Sequence, residues 1–376
     1  MQKDFHYYCV AVLAKAAGFT TIDALSIGYA SQYVDDATEG EGIKLGTKKS
    51  NIAFDPVRTA YDLHKPDQGL KSLNWSPQKR IFIPFHFLPA QPFDPDKAKA
   101  FSFITEPDSA FARILLERAA RTKEPQCRLC AIGIAVHTYA DTWSHQGFSG
   151  RRAAPENDVE SIYLYDRPAR RWKHLQLENL ALDVLPQIGH AEAGFFPDLP
   201  FQKWKCTIKW RTSSGPKLKN LQRDNTEVFL EAAHEIYKQL CGMSKSRSSK
   251  PIPWKDIEPE ISALLAKEPK GTALGGIFNS AARLLAATKV EERCGNWQTK
   301  FASLFKPFST GLSYHYDPKQ WREAALYGNT DWDGWSVNKW AKDEPRKVKP
   351  GFWDSPWVNF HRAALCQRHF VIENLP

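Results

Sequence analysis

The stretch HTYADTWSH, residues 137–145, sets His137, Asp141 and His145 at intervals of four. On a helix, residues four apart are offset by about 40° and climb about 6 Å, so the three share one stripe with the outer Cα atoms roughly 12 Å apart. Two imidazoles at that separation are poorly placed to grip one ion through bonds of about 2 Å. Each can hold its own ion, with the carboxylate between them able to bridge. The spacing therefore points to a multinuclear centre, and two ions about 3.5–4 Å apart are a known device for phosphoester cleavage. The competing reading is a solvated helix face. The apolar half-helix CAIGIAV that leads into the run argues for a buried stripe instead.

Three residues do not complete such a site, and the chain offers further ligands. His6 stands in DFHYY, Asp35 and Asp36 in QYVDDA, and His86 in IPFHF, where an imidazole in an apolar run is either a satisfied core residue or a ligand. His190 opens GHAEAGFFPD, with Glu192 and Asp198 close behind. Histidine and carboxylate without thiolate favour a hydrolytic zinc site holding two or three ions, with manganese or iron as the alternatives.

The elements that must position these groups are mainly helical. YCVAVLAKAAGF and TIDALSIGYASQYVDDA read as amphipathic helices separated at Gly18, the second capped by Thr21 or Asp23. SAFARILLERAAR, PQCRLCAIGIAVHTYADTWSHQGF, HLQLENLALDVLPQIGH and TEVFLEAAHEIYKQLC follow as helices, then ISALLAKE and FNSAARLLAATKVEE. Short strands are expected at SIYLYD and KWKCTIKW, where β-branched and aromatic residues alternate with polar ones. The Ser-, Lys- and Pro-rich residues 243–256 suggest a linker between a metal-binding helical domain, 1–242, and a region of helices and tryptophans, 257–376, that could pack on it as a cap. Residues 306–358 read as irregular.

Composition narrows the partners. The net charge of +9 over 376 residues suits an anionic partner such as phospholipid, nucleic acid or a phosphate ester. No apolar run reaches the roughly 18 residues of a transmembrane helix, and the N-terminus lacks the pattern of a signal peptide. Synthesis in the cytoplasm is expected, with delivery as an antibacterial effector through a specialised secretion system as an alternative. The seven scattered cysteines read as reduced thiols, and the CxxC of Cys127 and Cys130 as buried thiols at a helix start.

MQKDFH, ASQYVDDA and HTYADTWSHQGFSG, with the histidine after the core, carry a resemblance. Over residues 1–235 the chain resembles the zinc-dependent phospholipase C and P1-type nuclease group, which are all-α enzymes with a trinuclear zinc cleft. It resembles more closely a bacterial family that begins with MQxDFH. The resemblance implies a mainly α fold with a few short strands. It implies one ion on Asp36 or Asp35, His86, His137 and Asp141, a second on His145 and His190 with Glu192 or Asp198, and a third on His6 and Asp141 with Asp4. There are departures from the group. His145 follows Asp141 by four residues rather than six, and Gly194 stands where a carboxylate is expected four residues after His190. The group's N-terminal amine binds zinc after processing, whereas Met1-Gln2 opposes removal of the methionine and leaves the third ion without that ligand.

The expected function is a phospholipase C-like phosphodiesterase acting on phospholipid, with Asp36 or Asp35 as general base and Asp141 as the shared acid. Seven tryptophans (297, 321, 332, 335, 340, 353 and 357) offer an apolar surface toward a membrane. The alternative enzyme is a single-strand nuclease whose basic stretch 201–223 follows a phosphate backbone while Trp204 and Trp210 stack on bases. The alternative outside enzymes is an interaction module stabilised by structural ions.

Overall fold

A computed structural model of the chain describes residues 1–39, 42–46, 52–61, 74–152, 157–175, 189–212, 215–244, 249–269, 289–305, 314–328 and 345–376, the side chains of 209–217 excepted. The helix expected over 174–190 lies largely outside the described residues, as do most of FNSAARLLAATKVEE, the middle of the 243–256 linker, and Trp332, Trp335 and Trp340.

The principal helices are α1 (Val10–Ala16), α2 (Thr21–Asp36), α3 (Ala110–Ala120), α4 (Pro125–Ser144), α5 (Asn225–Met243), α6 (Trp254–Ala266), α7 (Val290–Phe301), α8 (Gln320–Ala325) and α9 (Pro356–Glu373). A π-helical segment, Asp4–Cys9, runs directly into α1. The cap of α2 is Thr20, whose hydroxyl accepts from Asp23 N–H at 3.1 Å, rather than Thr21 or Asp23. α4 starts on Pro125, whose missing N–H costs nothing at that position.

α4 lies at the centre, with α2, α3, α5 and α9 packed around it. Two glycines set the closest crossings. A Cβ at Gly133 would lie 2.5 Å from the Ile27 carbonyl of α2, and one at Gly28 would lie 2.9 Å from the Tyr7 carbonyl. One turn beyond the first crossing stand Asp35 on α2 and His137 on α4, so the approach of these backbones brings two site residues together. α9 locks α4 from the other side: Gln367 donates to Thr138 Oγ1 at 2.9 Å and to the Pro84 carbonyl at 3.0 Å. The helices beyond residue 256 share one apolar cluster with the first segment, with Ile261, Trp297 and Trp357 fully or almost fully buried in it.

The expectation of a mainly α chain is corrected. Among the described residues helix predominates, but strands form two antiparallel sheets. The small one pairs β1 (Ile43–Lys44) with β2 (Ala53–Phe54). The large one has the order β4-β3-β5-β6, from β3 (Asp158–Asp166), β4 (Arg171–Leu175), β5 (Lys203–Thr212) and β6 (Gly215–Asp224). The fold is mixed, because the period-2 pattern extends well past SIYLYD and KWKCTIKW. Val159, Ile162 and Leu164 face inward beside Trp204, Cys206 and Ile208, forming a second apolar cluster with Phe87, Phe148 and Phe196. His174 and Leu175, read from sequence as the start of a helix, belong to β4.

Candidate metal centre

Five imidazoles and three carboxylates converge where α2, α4, the N-terminal segment and the loop 189–198 meet. Their donor atoms form three triads: His6, Asp35 and His137; His86, His137 and Asp141; and His145, His190 and Asp198. Asp141 links them. Its Oδ1 lies 3.2 Å from His6 Nε2, and its Oδ2 lies 3.2 Å from His137 Nε2 and 3.3 Å from His86 Nδ1. His145, just past the end of α4, brings its Nδ1 within 3.7 Å of the same Oδ2.

Backbone carbonyls fix which ring nitrogens are free to bind a cation. A carbonyl only accepts, so the imidazole nitrogen beside it carries the proton. His86 donates from Nε2 to the Thr59 carbonyl at 2.9 Å, His145 from Nδ1 to the His86 carbonyl at 2.7 Å, and His190 from Nδ1 to the Gly194 carbonyl at 2.9 Å. In each ring the other nitrogen faces the cluster and offers it a lone pair once unprotonated. Outer partners hold metal-binding histidines in the same way. Buried nitrogens without a hydrogen-bond partner among the described residues include Nδ1 of His6 and Nδ1 of His137. Orphans of this kind are costly unless a ligand satisfies them, so the residues present fit divalent cations.

The charges are mutually dependent. Burial alone would raise the Asp141 carboxyl, but His145, the Met1 ammonium, His137 and His6 hold it well below the carboxylate range. Burial pushes the Asp35 carboxyl up to about 7 even with His86 opposing. Burial drives His145 down to about 4 against the pull of Asp141 and Asp198. Asp35 keeps 33% of its side chain exposed, whereas Asp141 keeps 1%, so Asp35 marks the open side of the cluster.

Three expected ligands lie elsewhere. Asp36 turns away from the triads and accepts from Tyr316 at 2.6 Å and Gln32 at 3.1 Å, because one residue along a helix is a rotation of about 100°. Glu192 accepts from the Val159 N–H at 2.7 Å, leaving Asp198 as the carboxylate of the third triad. Asp4 is bound to the buried Arg293, with Nε–Oδ2 at 2.7 Å.

Two groups that the sequence reading leaves out of the centre lie in it, the Met1 amine among them, although Met1-Gln2 is expected to leave the third ion without that ligand. The α-amino group of Met1 is fully buried in the cluster, 2.7 Å from Asp141 Oδ1, 3.0 Å from Asp198 Oδ1 and 3.1 Å from Ser144 Oγ. Burial lowers its proton affinity, but Asp141 and Asp198 more than offset this, and the pKa rises to about 11. The sheet supplies the last wall. Arg223 of β6 donates from Nη1 to the carbonyls of Trp143 and Ser144, both at 2.8 Å, and so grips the end of α4 that carries His145. Phe87 stacks on the His145 ring at 4.3 Å. Gly189 makes room for Phe87: with φ at +57°, a Cβ there would lie 2.2 Å from the Phe87 ring.

The aromatic surfaces expected at either substrate are mostly internal. Trp297, Trp321 and Trp357 are buried, and of the described late tryptophans only Trp353 is well exposed, at 46%. Trp204 is buried and donates to Asn225, while the Trp210 side chain lies outside the described ones. Lysine ammonium groups cover the rings on the outer face of the sheet: Lys205 sits over Tyr163 and Trp172, and Lys203 over Tyr165. All seven cysteines are free thiols, with Cys127 and Cys130 buried at the start of α4. No described helix is long and apolar enough to cross a membrane.

Over residues 1–375 the chain matches the model of a family of unknown function, DUF6765, and it belongs to that family. No curated protein and no solved structure matches it.

Proposed function

We propose that the protein is a metal-dependent hydrolase of phosphoric esters, with zinc as the first candidate ion. The observation that carries this reading is three adjacent triads of imidazoles and carboxylates, two of them sharing His137, with Asp141 within 3.3 Å of His6, His86 and His137. The ligand pattern is similar to that of the zinc-dependent phospholipase C and P1 nuclease group, which supports the reaction class without extending to its architecture.

His86, His137 and Asp141 would hold one ion, His145, His190 and Asp198 another, and His6 with Asp35 a third. When bound, such ions supply electrophilic stabilisation of phosphoryl oxygens and lower the pKa of water toward neutrality. The residues around them do the rest. Asp35, on the open side, is placed to accept a proton from a nucleophilic water. Thr59, His86 and Gly194 hold three rings in register through their carbonyls. The net charge of +9 favours approach of an anionic ester. Phospholipid remains the first substrate to try and single-stranded nucleic acid the second.

The test is elemental analysis of purified protein together with hydrolysis of bis(p-nitrophenyl) phosphate, phospholipid vesicles and single-stranded DNA. Two or more ions per chain and zinc-restored turnover of one diester are expected. Metal-loaded protein that turns over none of them would leave a structural role for the ions.

A further inference from the structure

We infer that the trough between α3, the first half of α4 and α9 is a binding site for an anionic amphiphile, a monocarboxylate on an apolar chain. It is separate from the metal centre: it borders α4 at Cys127 and Ala131, whereas the triads begin at His137. α3 and α9 both pack on α4 and meet each other where Phe111 approaches Phe370, with ring centroids 6.1 Å apart. Away from that contact they leave a cavity of about 710 Å³, within the roughly 300–1,000 Å³ of small-molecule sites.

The lining has two kinds of group. Leu115, Ala119 and Ala363 form an apolar floor, and Ile114, 41% exposed, extends it to the edge. Above it stand guanidinium groups without a carboxylate partner among the described residues. Arg118 lies over the Phe370 ring at 4.5 Å and enters no ion pair there. Arg362 donates from Nη1 to the Trp353 carbonyl at 2.8 Å and to Asn359 Oδ1 at 3.3 Å. Those bonds use one nitrogen, and the Nε–Nη2 edge, the one that binds a carboxylate through two parallel bonds, has no acceptor among the described residues. Glu117, on the rim, is already paired with Arg121 at 3.5 Å. With Glu117 and Arg121 paired, Arg118 and Arg362 outnumber the one other lining carboxylate, Glu124. Apolar walls beside this net positive charge complement an acyl chain ending in a carboxylate. A neutral apolar ligand would leave the cations unused, and a small inorganic anion would leave the floor uncovered.

Cys366 reports on occupancy, because it lines the trough and is exposed, whereas Cys127 beneath it is buried. The experiment measures binding of laurate below its micellar concentration to the full chain by calorimetry, with dodecanol as the uncharged control. In parallel, mass spectrometry follows alkylation of Cys366 by iodoacetamide. Laurate is expected to bind at least about tenfold more tightly than dodecanol and to slow Cys366 alkylation several-fold. Arg362→Glu is expected to weaken laurate by about tenfold or more, the value of one charge-assisted contact, while leaving dodecanol unchanged. Ala363→Trp, which fills the trough, is expected to abolish both effects. Equal binding of laurate and dodecanol, insensitivity to Arg362→Glu, or unprotected Cys366 would each overturn the assignment. These readouts need no metal and no turnover, so they stand or fall apart from the hydrolase reading.

Discussion

His86 Nδ1 and His137 Nε2 face each other at 3.2 Å inside the protein, both beside Asp141. Two imidazole nitrogens at that distance need a proton or a cation between them. Burial opposes charge on both rings, but Asp141 and Asp35 hold His86 above its usual pKa, whereas His137 falls to about 4. In metal-free protein the shared proton therefore belongs to His86, and a metal ion must displace it. Calorimetric titration with zinc at pH 7, in two buffers of different ionisation enthalpy, is expected to show release of at least about one proton per chain. Uptake without release would mean that the ion binds elsewhere.

Asp141→Asn separates a catalytic centre from a structural one. The amide keeps the shape but loses the charge that stands beside His6, His86 and His137. We expect the metal content to drop and diester turnover to fall by more than the roughly 100-fold that outer-shell changes cause, while the far-ultraviolet circular dichroism stays native. Global unfolding of the variant would show that the ions serve the fold.

The amine of Met1 is fully buried between Asp141 and Asp198. A residue joined to it through a peptide bond must leave that position. A chain carrying a short tag before Met1 is expected to bind fewer ions than the same chain tagged after Pro376, as read by elemental analysis. Equal stoichiometry would show that the amine is dispensable.

Gly133→Ala tests the crossing of α2 and α4. In an exposed helix this change stabilises by up to about 1 kcal/mol. Here the new methyl meets the Ile27 carbonyl and Ala30, so a loss of about 1–3 kcal/mol is expected, the usual range for overpacking. Because Asp35 and His137 stand one turn further along, zinc affinity should fall with it. Urea midpoints and zinc titration check both, and a stabilised variant would refute the close crossing.

His361 provides a pH signature away from the metal centre. Burial lowers its pKa to about 4 against the pull of Glu39, and the Val57 N–H that its Nδ1 accepts also favours the neutral ring. The unfolded chain takes up this proton near pH 6.5, so stability is complete above that value and is lost as pH falls from about 6.5 toward 4. The loss approaches about 3 kcal/mol at the acid end. His361→Gln, which keeps an acceptor for Val57, should lose less stability than the parent between pH 8 and pH 5. An identical loss in both chains would dismiss the residue as the sensor.

Much of the site was legible because its histidines stand out against apolar surroundings. His6, His86, His137, Asp141, His145 and His190 could be chosen from type and spacing. The choice of Asp35 over Asp36 depends on the rotational phase of α2 against α4, which a run of two acids does not carry. Asp198 over Glu192 depends on the path of a loop, and nothing in the side-chain pattern of Met1 or Arg223 marks them as parts of the centre. The sheet was underestimated because polar residues flank its recognisable cores. α9 went unread because Asn359, His361 and Gln367 are buried among its apolar positions and blur the helical period.

The bond from Arg223 to the carbonyls of Trp143 and Ser144 has a mechanical consequence. His137 and His86 are anchored within packed helical segments, whereas His145 and His190 rest against a wall made by a β-hairpin and an aromatic ring. The cations they would hold thus have unequal foundations. Slow chelation should strip the sheet-side ion first and leave its neighbour in place, giving the centre a partly loaded state with a lifetime of its own.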